Sequence, residues 1–378
     1  MEQNNKRTIL WVVLIIIVLA VVYGISNRQG TTGSKEPIKI GVISPLTGEI
    51  AAIGENVKTA IEVARDEVNA AGGVNGRMIE LVVEDGKCDG QPGANAASKL
   101  VNVDKVIAII GAGCSSETLA AAPIVDQAKV PMVSSISTNP KITGISPYVL
   151  RFVPSDAYQG KVGAEYAVET LGKKKIALLS CLSDWCTGLH DVFKSRAEAL
   201  GATIVADERN QQDDRDFRTE ITKIKAAKPD LVYVPEYPEA TIVILRQMKE
   251  LGLSVQLLGA DGWSDPKIPT ELGAVADGAR YTEPASTKLP DAFVAEMNKR
   301  TGGQEIHSYA ARAYDILHAM VQIMTTVGTD STAIKDALHQ LTNYHGIADT
   351  YTLGPDGDMT TASYTVKEYR GGKIVVVQ

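Results

Sequence analysis

From Ile38 onward, short runs rich in Val and Ile alternate with longer stretches of helical period, and this alternation narrows the possible folds more than any other feature. Strands are expected at Ile38–Ile43, Ile79–Glu84, Val106–Ile110 and Pro131–Val133, with helices over Glu55–Ala71, Pro92–Val103 and Glu117–Ala128. After Val149–Val153 the pattern starts afresh. Helices Ala157–Leu171, Leu189–Leu200, Phe217–Ala227 and Ala240–Leu251 then alternate with strands Lys175–Leu179, Thr203–Ala206, Asp230–Val234 and Gln256–Gly259. Runs as continuously apolar as VIAII and KIALLS suit parallel sheets covered by helices on both faces. Two such sets, in roughly 340 residues after the atypical start, imply two α/β lobes. Three late helices (Leu289–Thr301, Tyr309–Thr326, Thr332–Leu341) and a C-terminal hairpin around Arg370-Gly371-Gly372 cannot be allotted to a lobe by pattern alone.

The start of the chain belongs to neither lobe. Lys6 and Arg7 precede Ile9–Ile25, 17 residues without a charge, spanning about 25 Å as a helix, the short end of what crosses a bilayer. Signal-peptide cores are shorter, about 7 to 15 residues, and no clear Ala-x-Ala site follows, so residues 1–25 are expected to stay as a transmembrane anchor, with a cleaved signal as the alternative. Basic residues ahead of the run stay inside, which puts everything from Ser26 onward on the outer side of the membrane. Residues 26–36 read as a flexible tether.

Four Cys in an exported chain invite pairing. Cys88 and Cys114 each follow a strand, so neighbouring strand ends could join them, closing a loop worth roughly 3 to 4 kcal/mol on the chain-entropy model. Cys181 and Cys186 are spaced for a small-loop disulfide or for two buried thiols. No C-x2-C and no His spacing supports a metal, and a net charge of -7 gives no reason to expect nucleic acid.

Open parallel sheets bind ligands beyond the carboxyl ends of their strands. There the first set gathers hydroxyls: Ser44, Ser115 and Ser116 after GAGC, and Ser134 to Thr138. The second gathers rings and carboxylates: Trp185, Glu236, Tyr237, Asp261 and Trp263. Ser115 and Ser116 precede a helix expected to begin near Glu117, where free N–H groups and the helix dipole suit an anion, although a plain N-cap would look the same. Asp261 stands in an Asp-Gly pair that by itself signals only a turn. Gly111-x-Gly113 allows a dinucleotide reading, but Ser116 holds the third position and no acid ends a second strand about 20 residues on. There is no nucleophile elbow, Walker lysine or supported triad, so no enzyme and no cofactor is expected.

IKIGVISPLTGEIAAIGE, NAAGGVNGR, EDGKC, GAGCSSE, STNP, LVYVPEY and LLGADGW, in that order, resemble the type I periplasmic binding proteins of the leucine/isoleucine/valine-binding branch. The resemblance implies two Rossmann-like lobes with parallel sheets joined by a three-stranded hinge. Residues 37–153 and 283–352 form lobe 1, and 154–282 and 353–378 lobe 2. It implies a Cys88–Cys114 disulfide and a cleft that closes on a free amino acid, branched-chain by default. Ser115 and Thr138 match residues that hold the α-carboxylate, with the backbone of Ile136 alongside and Ser137 adjacent. Asp261 matches the acidic acceptor of the α-ammonium, often Glu in the family, and Tyr237 matches a cleft tyrosine. Trp185 stands where Tyr is common, Ile53 where an aromatic often sits, and Tyr309 falls on the same pocket, so the side-chain pocket departs from the pattern. The implied role is the extracytoplasmic binding component of an ABC importer, partnered by its permease; a ligand-sensing ectodomain is the alternative.

Overall fold

Helices cover both faces of each sheet, which is why these apolar runs form strands. In β1 (Ile38–Ser44), Ile40 and Val42 pack with helices Ala51–Ala70 and Ser308–Val327, while Ile43 joins helices Gly90–Lys99 and Ser115–Ala128. β2 (Ile79–Asp85), β3 (Ala108–Ile110), β4 (Met132–Ser134) and β5 (Val149–Arg151) complete a parallel sheet of order β2-β1-β3-β4-β5. The computed structural model describes residues 36–377. The run Ile9–Ile25 and nearly all of the tether lie outside the described residues, among which no helix is long and apolar enough to cross a membrane.

The second sheet holds β6 (Lys175–Cys181), β7 (Thr203–Asn210), β8 (Leu231–Val234), β9 (Gln256–Gly259) and β10 (Arg280–Pro284), mutually parallel. Ile176, Leu178, Leu231 and Tyr233 face helices Asp156–Glu165 and Asp184–Ala199, whereas Ala177, Leu179, Val232 and Val234 face helices Arg218–Ala227 and Pro238–Glu250. A short pair, β11 (Tyr344–His345) with β12 (Thr350–Tyr351), stands apart. The expected hairpin forms from β13 (Tyr364–Arg370) and β14 (Lys373–Val376), turning on Gly371 and Gly372 at φ of 59° and 72°, and β13 adds antiparallel to β10. The sheet order is therefore β14-β13-β10-β9-β8-β6-β7.

The late helices Asp291–Thr301 and Ser308–Val327 both pack along helix Ala51–Ala70, on the first sheet. The chain thus crosses between sheets three times, after β5, after β10 and before β13. Backbone bonds lace the crossings: Arg151 N–H donates to Gly357 O at 3.0 Å and Ala285 N–H to Ser363 O at 2.9 Å. Two buried arginines tie them further. Arg151 grips Asp358 with two bonds of 2.5 and 2.8 Å, and Arg312 donates to Phe152 O at 3.2 Å and to Ala285 O at 3.0 Å.

Several helices begin earlier than their apolar periods suggest. Helix Ala51–Ala70 starts before Glu55, helix Ser115–Ala128 before Glu117, and helix Asp184–Ala199 before Leu189. In the last, Ser183 Oγ accepts the Cys186 N–H at 3.2 Å as an N-cap, so Trp185 lies in a helical first turn rather than on a loop.

Candidate functional site

The carboxyl ends of both sheets face one cavity, whose empty volume of about 370 Å³ includes the solvent at its mouth. Seven of the nine expected residues line it: Ile53, Ser115, Ile136, Trp185, Tyr237, Asp261 and Tyr309, together with Ile50, Gly113, Cys114 and Gly262. Ser137 does not. Its Oγ lies 2.7 Å from Thr118 Oγ1 and donates to Ala112 O at 2.9 Å, bracing the loop. Thr138 is fully buried but is not on the wall, and its Oγ1 has no protein partner.

Ser115 is the first residue of its helix, not the cap; Cys114 is the cap. The N–H groups of Ser115 and Ser116 consequently have no partner within the helix and stand at the positive end of its dipole. Ser115 Oγ accepts the Asn139 N–H at 3.2 Å, which ties the β3 and β4 loops together. Beneath them, the Glu117 carboxylate accepts the N–H groups of Cys114 at 2.9 Å and Cys88 at 2.7 Å. Burial, opposed by those bonds, pushes Glu117 up to about 7. Cys88 and Cys114 are disulfide-bonded, and so are Cys181 and Cys186.

The opposite wall carries carboxylates. Asp261 follows β9 and is 5% exposed; its Oδ2 accepts from the Tyr309 hydroxyl while Oδ1 has no protein partner. Burial raises its pKa to about 6, against the pull of the Tyr309 hydrogen bond. Asp156, absent from the sequence-derived set, is fully buried with neither carboxylate oxygen partnered. Burial first, and then the negative charge of Asp261, drive its pKa well up. Its only sequence signal is an acid following the N-cap Ser155, which usually marks no more than a helix start.

Trp185 and Tyr237 tilt against each other with ring centroids 4.8 Å apart. Gly262 makes room for them: a Cβ there would stand 2.5 Å from the Trp185 ring and 2.6 Å from Glu236 O. Contacts cross the cleft around the cavity. Asn139 Nδ2 donates to Asp184 O at 2.5 Å, Arg215 pairs with Glu49 at 2.5 Å, and His307 Nε2 lies 2.8 Å from Ser264 Oγ. His307 Nδ1 accepts the Tyr309 N–H at 3.3 Å, so in the neutral ring Nε2 is the donor. The arrangement offers an anion site, a cation site and an apolar wall around one cavity.

Residues 37–373 match the model of the periplasmic binding protein family. An amino acid binding protein of Pseudomonas aeruginosa is 31% identical over 356 residues, covering 91% of this chain and 94% of the relative. Among solved structures, the leucine-binding protein LivK of Thermotoga maritima superposes with a TM-score of 0.83 at 28% identity, covering 90% of this chain and 98% of that one. The branched-chain amino acid transporter substrate-binding protein LivJ of Streptococcus pneumoniae, in complex with isoleucine, superposes with a TM-score of 0.81 at 28% identity, covering 90% and 99%.

Proposed function

Since this chain belongs to the periplasmic binding protein family, in the type I leucine/isoleucine/valine-binding branch, we propose that it is the extracytoplasmic solute-binding component of an ABC amino-acid importer. Its ligand is a free amino acid with an apolar side chain. One observation carries the reading: a buried carboxylate with an unpartnered oxygen, Asp261, shares a cavity with the open N-terminus of helix Ser115–Ala128. Those are the two demands of a zwitterion. The α-carboxylate takes the N–H groups at Ser115 and Ser116, with Thr138 on the same side, and the α-ammonium takes Asp261, with Asp156 behind it. The side chain then lies against Ile50, Ile53, Trp185 and Tyr237. Such a ligand touches both lobes, taken as residues 37–153 with 283–352 and 154–282 with 353–378, so its binding energy favours the closed form over the open one.

The family's location supports an extracytoplasmic site, with the run Ile9–Ile25 holding the chain at the outer membrane face beside its permease. The deciding experiment is a thermal-shift screen of the purified protein against the free amino acids. A ligand present at about 100 times its Kd adds about 2.7 kcal/mol and raises Tm. No shift with any amino acid would overturn the ligand class.

A further inference from the structure

Trp185, a wall of the cavity, sits inside the ring closed by the Cys181–Cys186 disulfide. Cys181 ends β6 and is paired in register with Asn210, so one end of the ring is fixed to the sheet. Cys186 lies in the first turn of helix Asp184–Ala199, where terminal turns otherwise fray. Both cysteines are fully buried in the apolar cluster that also holds Ile50, Ile53, Tyr237 and Tyr309. Ser183, within the ring, caps the helix through the Cys186 N–H and lies 3.1 Å from Cys181 Sγ. Asp184, the next residue, meets the opposite wall through Asn139 and Ser116. The crosslink therefore ends on both sides of the segment that touches the cavity and the facing lobe.

Loop length argues that general stabilisation is not its main effect. The cysteines are 5 residues apart, against 26 for Cys88 and Cys114, and the entropy removed from the unfolded chain grows with the loop closed. We propose that the Cys181–Cys186 disulfide is a positioning element of the ligand pocket, holding Trp185 against Tyr237 and Gly262 in the geometry that the ligand's side chain meets. The inference rests on the amino-acid reading of the cavity for its ligand, but not for its effect on Trp185. Without the crosslink, the turn that carries Trp185 keeps the Ser183 cap, the Thr187 N–H bond to Ser183 O at 3.0 Å and the Arg209 bonds to Cys181 O and Thr187 Oγ1, but loses its one covalent tie to the end of β6. The ring then samples other rotamers, and the bound arrangement must be re-ordered at the ligand's expense.

The test is a double-mutant cycle on the full chain, with L-leucine as the probe, or another of the twenty free amino acids if only that one shifts the wild type. C181S/C186S should weaken binding by at least tenfold. Added to W185A, the same pair should cost less than threefold, because the disulfide acts through the ring. Equal losses in the two backgrounds, or no loss in the first, would overturn the proposal. Acrylamide quenching of tryptophan fluorescence in ligand-free C181S/C186S gives an independent reading: it should rise over wild type, and unchanged quenching counts against the proposal even if no amino acid binds. Absence of binding by the wild type would instead remove the ligand assignment. Should the serine pair fail to fold, folded wild type reduced by a phosphine, with the opened cysteines mapped by mass spectrometry, is measured by quenching in its place.

Discussion

Replacing Asp261 by Asn separates what the carboxylate does for the ligand from what it does for the fold. In the closed cleft the ligand's ammonium loses its water, and Asp261 Oδ1, buried and otherwise unpartnered, is the group placed to answer it. Asn keeps the shape but not the charge, so the loss is that of one partner of a buried pair, about 2 to 5 kcal/mol. At 1.4 kcal/mol per decade, Kd rises about 30-fold to about 4,000-fold. The ligand-free protein should respond in the opposite sense. Burial raises the Asp261 pKa from 3.8 to about 6, which at 1.36 kcal/mol per unit is a cost of about 3 kcal/mol when the group is ionised near neutral pH. An amide carries no such cost, so ligand-free Tm at pH 7 should hold or rise. Ser115→Ala is the control, expected to weaken binding less than tenfold because the N–H groups at the helix end remain. Isothermal titration reads affinity, and thermal melts without ligand read stability. Binding by Asp261→Asn within threefold of wild type would refute the argument and place the ammonium elsewhere.

The same carboxyl predicts a pH profile. Ligand affinity should be full above about pH 6 and fall about tenfold per unit below it, as Asp261 takes the proton that the ammonium must displace, and titrations at pH 5 and 7.5 check this. Because the folded pKa lies above the unfolded value, this group's contribution to ligand-free stability runs the other way, greatest below about pH 4 and lost as pH rises through 6. Asp358→Asn, which leaves Arg151 buried without its carboxylate, should cost about 3 to 5 kcal/mol in urea unfolding, and a loss under 1 kcal/mol would show that the carbonyls of Asn139 and Ser137 satisfy the arginine unaided. N-terminal sequencing of protein from its native host should find Ile9–Ile25 still attached; a mature chain beginning near Asn27 would make it a cleaved signal.

What the sequence makes legible, and what it hides, follows from the range over which each residue acts. β1 and β6 are readable because a strand covered on both faces must be apolar at consecutive positions, a local property. The loops after the strands are readable because the topology puts ligands at the carboxyl ends, which is how Ser115 after β3, Tyr237 after β8 and Asp261 after β9 come to stand around one cavity. Helix Asp184–Ala199 begins five residues before its apolar period because its first turn is set by the Ser183 cap and the disulfide, signals that periodicity does not carry. Ser137 and Thr138 sit in the right loop, but which of two adjacent hydroxyls turns back to Ala112 depends on backbone angles that composition leaves open.

Asp156 and Arg151 show the remaining gap. Each reads locally as ordinary, an acid in a helix's first turn and a cation at a strand end, and each is fully buried only because the chain crosses between sheets at that point. The crossing places Arg151 against Asp358, more than 200 residues away in sequence, where the pair holds the crossings together. A few residues on it places Asp156 where the charge of Asp261 opposes its ionisation. One short segment thus joins the first crossing between the sheets to the carboxylate end of the cavity. On the proposed amino-acid reading, an ammonium held by Asp261 offsets the charge that opposes Asp156 ionisation, so the charge of the ligand acts on the segment where the chain crosses between the sheets.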